Sequence, residues 1–176
     1  KILNEIGVSS NDYYFVLRFV SWGASHDFGK RGLSETEKIQ LVKQLKPHGR
    51  VIITSEMPLP VELEPYRMTI SPIHIHDLLY YASLYLGEGA TMAAEAAILG
   101  TPSIYINPLS AGTINELSIE YHLIFQKLSF KETLATALKL LKDSSIQDKF
   151  VRNHRRMLEE KIDVTEWLVD FIELLE

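Results

Sequence analysis

The stretch GEGATMAAEAAILGTPSIYIN, residues 87–107, brings together two glycines, a threonine and one glutamate that could meet an anion and a sugar. Gly87 and Gly89 carry no Cβ, so the backbone can turn sharply and approach a ligand closely. The run from Ala90 to Leu99 reads as a helix. A helix start presents unpaired N–H groups and about half a positive charge, which suits phosphate. Ala93, Ala94, Ala96 and Ala97 keep this helix slim enough to lie tightly on a sheet. Thr91 and Glu95 share one helical face, and a carboxylate one turn in can accept both hydrogen bonds of a ribose diol. The competing reading is a plain strand–helix turn with a solvated Glu95, because glycine-rich turns alone are a weak signal.

A second group follows the apolar run Tyr13–Val20: Arg18, Trp22, Ser25, His26, Asp27, Lys30 and Arg31. Cations there would offset a pyrophosphate leaving group, and Ser25 or the Gly23–Ala24 backbone would add donors. His26 beside Asp27 is an acid–base candidate. Arg18, His26 and Asp27 are therefore the expected catalytic residues. Arg18 lies inside an apolar strand and calls for a partner, such as a buried carboxylate. The alternative is a polar loop with Trp22 on the core and its charges solvated.

His74 and His76, in SPIHIHDLL, would share a face on a strand. No third ligand accompanies them, so no metal site is expected. They are expected instead at a helix start facing a nucleotide, with surface positions as the alternative. Asn107, Ser110, Gly112, Thr113, Asn115 and Glu116 follow another apolar run and could reach a sugar. A capped loop with Thr113 as N-cap is an equal reading.

The elements that must position these residues are short. Strands are expected at Tyr13–Val20, Arg50–Thr54, Met68–Ser71, Ser83–Gly87, Ser103–Asn107 and His122–Leu128, the third and sixth less sharply patterned. Between them lie helical patterns over residues 34–46, 74–82 and 90–99; Ser34 and Glu37 form a capping-box pair in the first. Gly100 ends the alanine helix, with Pro102 just beyond. From Lys131 onward the pattern is all helical. Short apolar strands alternating with helices imply an α/β fold: a parallel sheet of about six strands covered on both faces. In such sheets ligands bind beyond the carboxyl ends of the strands. The expected division is a nucleotide-binding domain over residues 1–130 and packed C-terminal helices over 131–176. Trp167, Leu168, Phe171, Ile172 and Leu175 read as a core stripe, part of which could face a further domain. KFVRNHRRMLEEK, from Lys149, reads as a solvated helix face; a peripheral membrane contact is the other reading.

Composition bounds the rest. The chain has 176 residues, 46% hydrophobic and 23% charged, an ordinary globular balance. It has no cysteine, which excludes disulfides and thiolate metal sites. A net charge of −5 argues against general nucleic-acid binding. Neither a membrane-spanning run nor a signal-peptide pattern is present, so a cytoplasmic protein is expected. It begins on Lys1 rather than methionine and is read as a piece of a longer protein.

GATMAAEAAILGTPSIYIN resembles the nucleotide-sugar signature of GT-B glycosyltransferases, such as the GlcNAc transferase of peptidoglycan synthesis. Gly89, Ala90, Glu95, Ala97, Gly100 and Pro102 fall on matching positions. The transferase's threonine falls on Met92, while this chain's threonine is Thr91. Over nearly its whole length, through LRFVSWGASHD and YYASLYLGEGATMAAEAAILGTPSIYIN, the chain is similar to a largely uncharacterised GT-B-like family often found among surface-polysaccharide genes. The resemblance implies a Rossmann-like C-terminal half that binds a UDP-sugar, with Glu95 on the ribose and the Gly87–Thr91 turn on the diphosphate. It implies Ser25, His74, His76 and Asn107 as further nucleotide-sugar contacts. It also implies transfer to a glycan or glycolipid acceptor, no cofactor, and an N-terminal domain ahead of this one. A UDP-GlcNAc 2-epimerase relative and a non-catalytic nucleotide-binding module are the alternatives. A dehydrogenase is disfavoured, because no G-x-G-x-x-G follows the first strand.

Overall fold

The computed structural model describes residues 2–9, 12–22, 31–109 and 112–175. Ser25, His26, Asp27, Lys30 and Ser110 lie outside the described residues. The chain opens with a short helix, α1 (Ile2–Glu5), and then alternates: β1 (Tyr14–Phe19), α2 (Glu35–Leu45), β2 (Arg50–Ser55), α3 (Ile75–Tyr80), β3 (Leu84–Gly87), α4 (Ala90–Ile98), β4 (Ser103–Ile106), α5 (Gly112–Asn115) and β5 (Ile124–Lys127). Three helices close it: α6 (Phe130–Lys142), α7 (Ser144–Glu160) and α8 (Val164–Glu173).

The five strands form one parallel sheet in the order β2-β1-β3-β4-β5. The third expected strand, Met68–Ser71, is not formed; a single bridge between Ile53 and Arg67 stands in its place. The run is cut short by Pro72, which opens a 3-10 turn and has no amide to extend a ladder. The sheet therefore has five strands rather than about six.

Side chains alternate across it, as the two-residue strand period demands. Tyr14, Val16, Ile52, Tyr85 and Tyr105 join one apolar cluster with Leu78 and Leu79 of α3 and the alanines of α4. Phe15, Leu17, Val51, Ile53, Leu86 and Ile104 join the other, with Leu41, Val42 and Leu45 of α2 and Ala137 and Leu140 of α6. The result is a three-layer, Rossmann-like α/β domain. Ala93, Ala96 and Ala97 have no exposed surface, so α4 sits flush on the sheet. Ser34 and Glu37 make the full capping box at the start of α2. Gly100 takes φ +94 and stops α4, with the His154 ring beside it. The expected core stripe of the last helix is not buried: Trp167, Leu168, Phe171 and Ile172 of α8 are each about half exposed. Trp167 stacks on Phe171 of the same helix.

Candidate functional site at the carboxyl edge of the sheet

Connections leave β1 toward β2 on one side, while β3 lies on its other side, so the strand order reverses between β1 and β3. Such a reversal opens a crevice beyond the carboxyl ends of the strands. Arg18 of β1 pairs in register with Thr54 of β2 and with Gly87 of β3, and all three stand at that edge. Immediately beyond Gly87 the chain turns into α4.

Gly89 is the N-cap of α4 with extended backbone (φ −95, ψ 130), and among the described residues no side chain caps the first turn. Among the described residues, a Cβ at Gly89 would find Val20 Cγ1 at 3.5 Å, an ordinary contact. Gly87 behaves differently. A Cβ there would lie 2.0 Å from the Tyr85 hydroxyl, so the room it leaves is filled by that phenol. Ala90 is half-buried, Thr91 is exposed at the helix start, and Met92 lines a cavity beside it.

Glu95 lies further along α4. Its side chain is 37% exposed, and Oε2 lies 3.7 Å from Nε2 of His76 on α3. No hydrogen bond holds it among the described residues. His74 instead faces Asp77 of its own helix at 3.5 Å. Among the described residues no three His, Asp or Glu side chains converge as a metal site would require. Arg18 donates from Nη2 to Glu56 Oε1 at 2.8 Å, and Ser21 N donates to the other oxygen at 3.2 Å. The partner of Arg18 is thus Glu56, from just after β2, and it is an exposed carboxylate rather than the buried one expected.

The central residue of the edge is one that the sequence did not single out. Glu88 is fully buried. Its carboxylate accepts from Val20 N at 3.1 Å and Leu33 N at 2.9 Å, and its carbonyl accepts from Asn107 Nδ2 at 2.9 Å. It ties the end of β1, the approach to α2 and the end of β4 to the β3–α4 turn. Asn107 completes the tie, its Oδ1 accepting from Leu109 N at 2.8 Å. A charged residue between two glycines at a strand end was the available signal for this role.

A cavity of about 350 Å³ opens between β1, β2, α4 and the segment before α3. Arg18, Thr54, Ser55, Arg67 and Thr69 form its polar side, and Ile70, Pro72, Ile75 and Met92 are among its apolar walls. Tyr85 lies fully buried next to this edge, and burial pushes its pKa up, with the Arg18 charge opposing. Its hydroxyl therefore keeps its proton at any physiological pH.

The sequence matches, over residues 61–172, the family described as "Protein of unknown function (DUF354)". No curated protein matches it. Solved structures share the fold at low identity. The glycosyltransferase SnogD from Streptomyces nogalater is 14% identical with a TM-score of 0.65, over 96% of this chain and 44% of its own. The UDP-GlcNAc 2-epimerase from Neisseria meningitidis, bound to UDP-GlcNAc, is 11% identical with a TM-score of 0.61, over 90% of this chain and 46% of its own. The glycosyltransferase VinC, in complex with dTDP, is 13% identical with a TM-score of 0.64, over 97% of this chain and 43% of its own. The chain spans less than half the length of each of these structures. No described helix is long and apolar enough to cross a membrane.

Proposed function

We propose, for a chain that belongs to the family described as protein of unknown function (DUF354), that it is the nucleotide-sugar-binding half of a GT-B-like glycosyltransferase. The observation that carries this reading is the pairing of two features on α4. The first turn of α4 is uncapped at the point where the strand order reverses. One turn further in, Glu95 is half-exposed with no hydrogen bond among the described residues.

In this reading the diphosphate of a UDP-sugar lies before Gly89, Ala90 and Thr91, where amides and helix dipole offset its charge. Glu95 accepts from the ribose hydroxyls, with His76 beside it, and the base enters the cavity next to Ile75. In transfer, the bond from the anomeric carbon to the diphosphate breaks and an acceptor hydroxyl oxygen bonds that carbon. Its proton passes to a base, and the nucleoside diphosphate leaves with the bonding pair. In this reading Arg18 stabilises that leaving charge, so the reaction calls for no metal. His26 and Asp27 remain this chain's acid–base candidates, with Ser25 as a further donor. A group on a separate N-terminal domain would otherwise supply the base, as the shared span of under half of each neighbour suggests. The isolated 176 residues are then expected to bind nucleotide without turnover. The acceptor is a glycan or glycolipid, and surface-polysaccharide synthesis in the cytoplasm is the setting that fits.

The neighbour bound to UDP-GlcNAc favours one second reading, a 2-epimerase. Incubating the full-length protein with UDP-GlcNAc, with and without an acceptor, separates them: epimerisation needs no acceptor, transfer does. The first test is calorimetric titration of the chain with nucleoside diphosphates. UDP is expected to bind, and Glu95→Ala to weaken it at least tenfold, the scale of one charge-assisted hydrogen-bond pair. Equal affinity of the two proteins would leave only a non-catalytic module; no binding by either would end the proposal.

A further inference from the structure

The peptide between Glu88 and Gly89 is held by a side chain from the next strand. Asn107, the residue after β4, is 6% exposed and engages both ends of its amide. Its Nδ2 donates to the Glu88 carbonyl at 2.9 Å, and its Oδ1 accepts from Leu109 N at 2.8 Å. One partner is an acceptor and the other a donor, so a single orientation of the amide satisfies both. Gln126 of β5 braces the same segment, its Nε2 donating to the carbonyls of Asn107 at 2.8 Å and Leu109 at 3.0 Å.

At Glu88 the chain departs from the ladder pattern. Glu88 N donates to the Arg18 carbonyl at 3.1 Å, so its N–H faces β1. Along a regular strand a residue's N–H and C=O face the same neighbour. That pattern would turn the Glu88 carbonyl to β1 and the Gly89 N–H to β4. Asn107 draws the carbonyl the other way, toward β4. The peptide is trans, with its C=O and N–H on opposite sides of one plane. The Gly89 N–H is therefore turned from β4 toward β1, where the strand order reverses. Glu88 cannot move as a whole to undo this, because its carboxylate is held by the amides of Val20 and Leu33. Among the described residues the Gly89 N–H has no acceptor, although backbone amides are rarely left without one.

We infer that Asn107 is a positioning residue of the nucleotide site: by holding the Glu88 carbonyl, it aims the Gly89 N–H at the diphosphate. This role rests on the nucleotide reading given above, which sets the diphosphate before Gly89. A hydrogen bond accepted by the carbonyl also polarises the peptide and strengthens its N–H as a donor. Asn107 thus acts on the anion through one peptide plane, without touching it. Gln126 has a different part, since its donors go to the Asn107 and Leu109 carbonyls and leave the Glu88 carbonyl alone.

The test combines calorimetry and amide NMR with inorganic pyrophosphate and UDP, on the wild-type chain, Asn107→Ala and Gln126→Leu, with thermal melts alongside. In the wild type the Gly89 amide proton is expected to move downfield as pyrophosphate is added. Asn107→Ala is expected to weaken pyrophosphate about tenfold, the scale of one hydrogen bond to a charged group, and to abolish that movement. Gln126→Leu loosens the same segment, so its melting temperature is expected to fall while its pyrophosphate affinity and Gly89 response persist. A Gly89 amide that stays still in a wild type that does bind pyrophosphate would overturn the role of Asn107, whatever the variants do. So would full affinity in Asn107→Ala, or an affinity loss in Gln126→Leu that matches it, which would make both residues braces of the segment only. A wild type that binds neither pyrophosphate nor UDP would overturn the nucleotide reading as well.

Discussion

Two carboxylates flank the β3–α4 turn, and they differ in almost every respect. Glu88, on the strand side, has no exposed surface and accepts from two backbone amides in two different loops. Glu95, on the helix side, keeps 37% of its side chain in solvent, and among the described residues its one charged partner is His76, at 3.7 Å. A buried charge persists only when hydrogen bonds replace its hydration, so the Glu88 carboxylate is committed to architecture and has nothing left to offer a ligand. The Glu95 carboxylate is uncommitted among the described residues. In the proposed reading the turn is held from one side and left receptive on the other, as a preorganised site requires.

That division makes sharply unequal predictions. Glu88→Ala leaves the amides of Val20 and Leu33 unpaired in the interior. It is expected to lose about 3 kcal/mol, the scale for hydrogen bonds to a charged group, read as a fall of about 6–12 °C in melting temperature for a domain of this size. A melt within about 2 °C of wild type would put the two carboxylates on the same footing.

Gly32→Ala attacks the same clamp from above. A Cβ there would lie 1.9 Å from Glu88 Oε1 and 2.4 Å from Trp22 Nε1. Glu88 cannot swing aside without giving up its amides, so overpacking is expected to cost about 2 kcal/mol. Unchanged denaturant stability would show that the clamp is looser than its burial indicates.

Ser34→Ala tests the clamp at its far end, since Ser34 follows the Leu33 amide and caps α2. Loss of an N-cap costs about 1 kcal/mol, detectable by urea titration. The same box gives the pH dependence a sign. Hydrogen bonds from the Ser34 backbone and hydroxyl hold the Glu37 carboxyl below its ordinary value of 4.5. Its contribution is therefore complete above pH 4.5 and is lost as pH falls through the lower folded-state value. Wild type minus Ser34→Ala should shrink on acidification below that point; a difference that grows would reverse the assignment.

How much of this was legible in the sequence follows from which forces leave a local trace. The alternation of apolar strands with capped helices gave the parallel sheet, because burial on both faces writes a continuous apolar run at each strand. The α4 alanines gave close helix–sheet packing, and the glycines flanking Glu88 located the turn. The Gly87 explanation was only half visible: its missing side chain makes room for Tyr85, and that contact depends on how the phenol lies along the strand. Glu88 and Glu56 acquire their roles from donors to their carboxylates that lie 35 to 68 residues away, which no spacing rule records. The stripe on α8 shows the converse limit. Trp167, Leu168, Phe171 and Ile172 have helical spacing, and periodicity predicts an apolar face without saying what covers it. The α4 alanines found a sheet; the α8 stripe is half exposed on the described residues.

The smallest predicted effect is the one on which the comparison turns. Glu95→Ala is expected to change stability by less than about 0.5 kcal/mol, the range for surface positions without special contacts, and any change should be slightly favourable. Alanine is the better helix former, and a negative charge in the second half of α4 opposes the helix dipole rather than relieving it. The His76 contact offsets little of this, because His76 is itself 62% exposed and solvent screens the pair. A melt that matches wild type while nucleotide affinity collapses would separate a ligand-holding carboxylate from a structural one more cleanly than any destabilising variant. A stability loss approaching that of Glu88→Ala would mean that Glu95 has a partner within the fold, and the receptive side of the turn would have to be sought elsewhere.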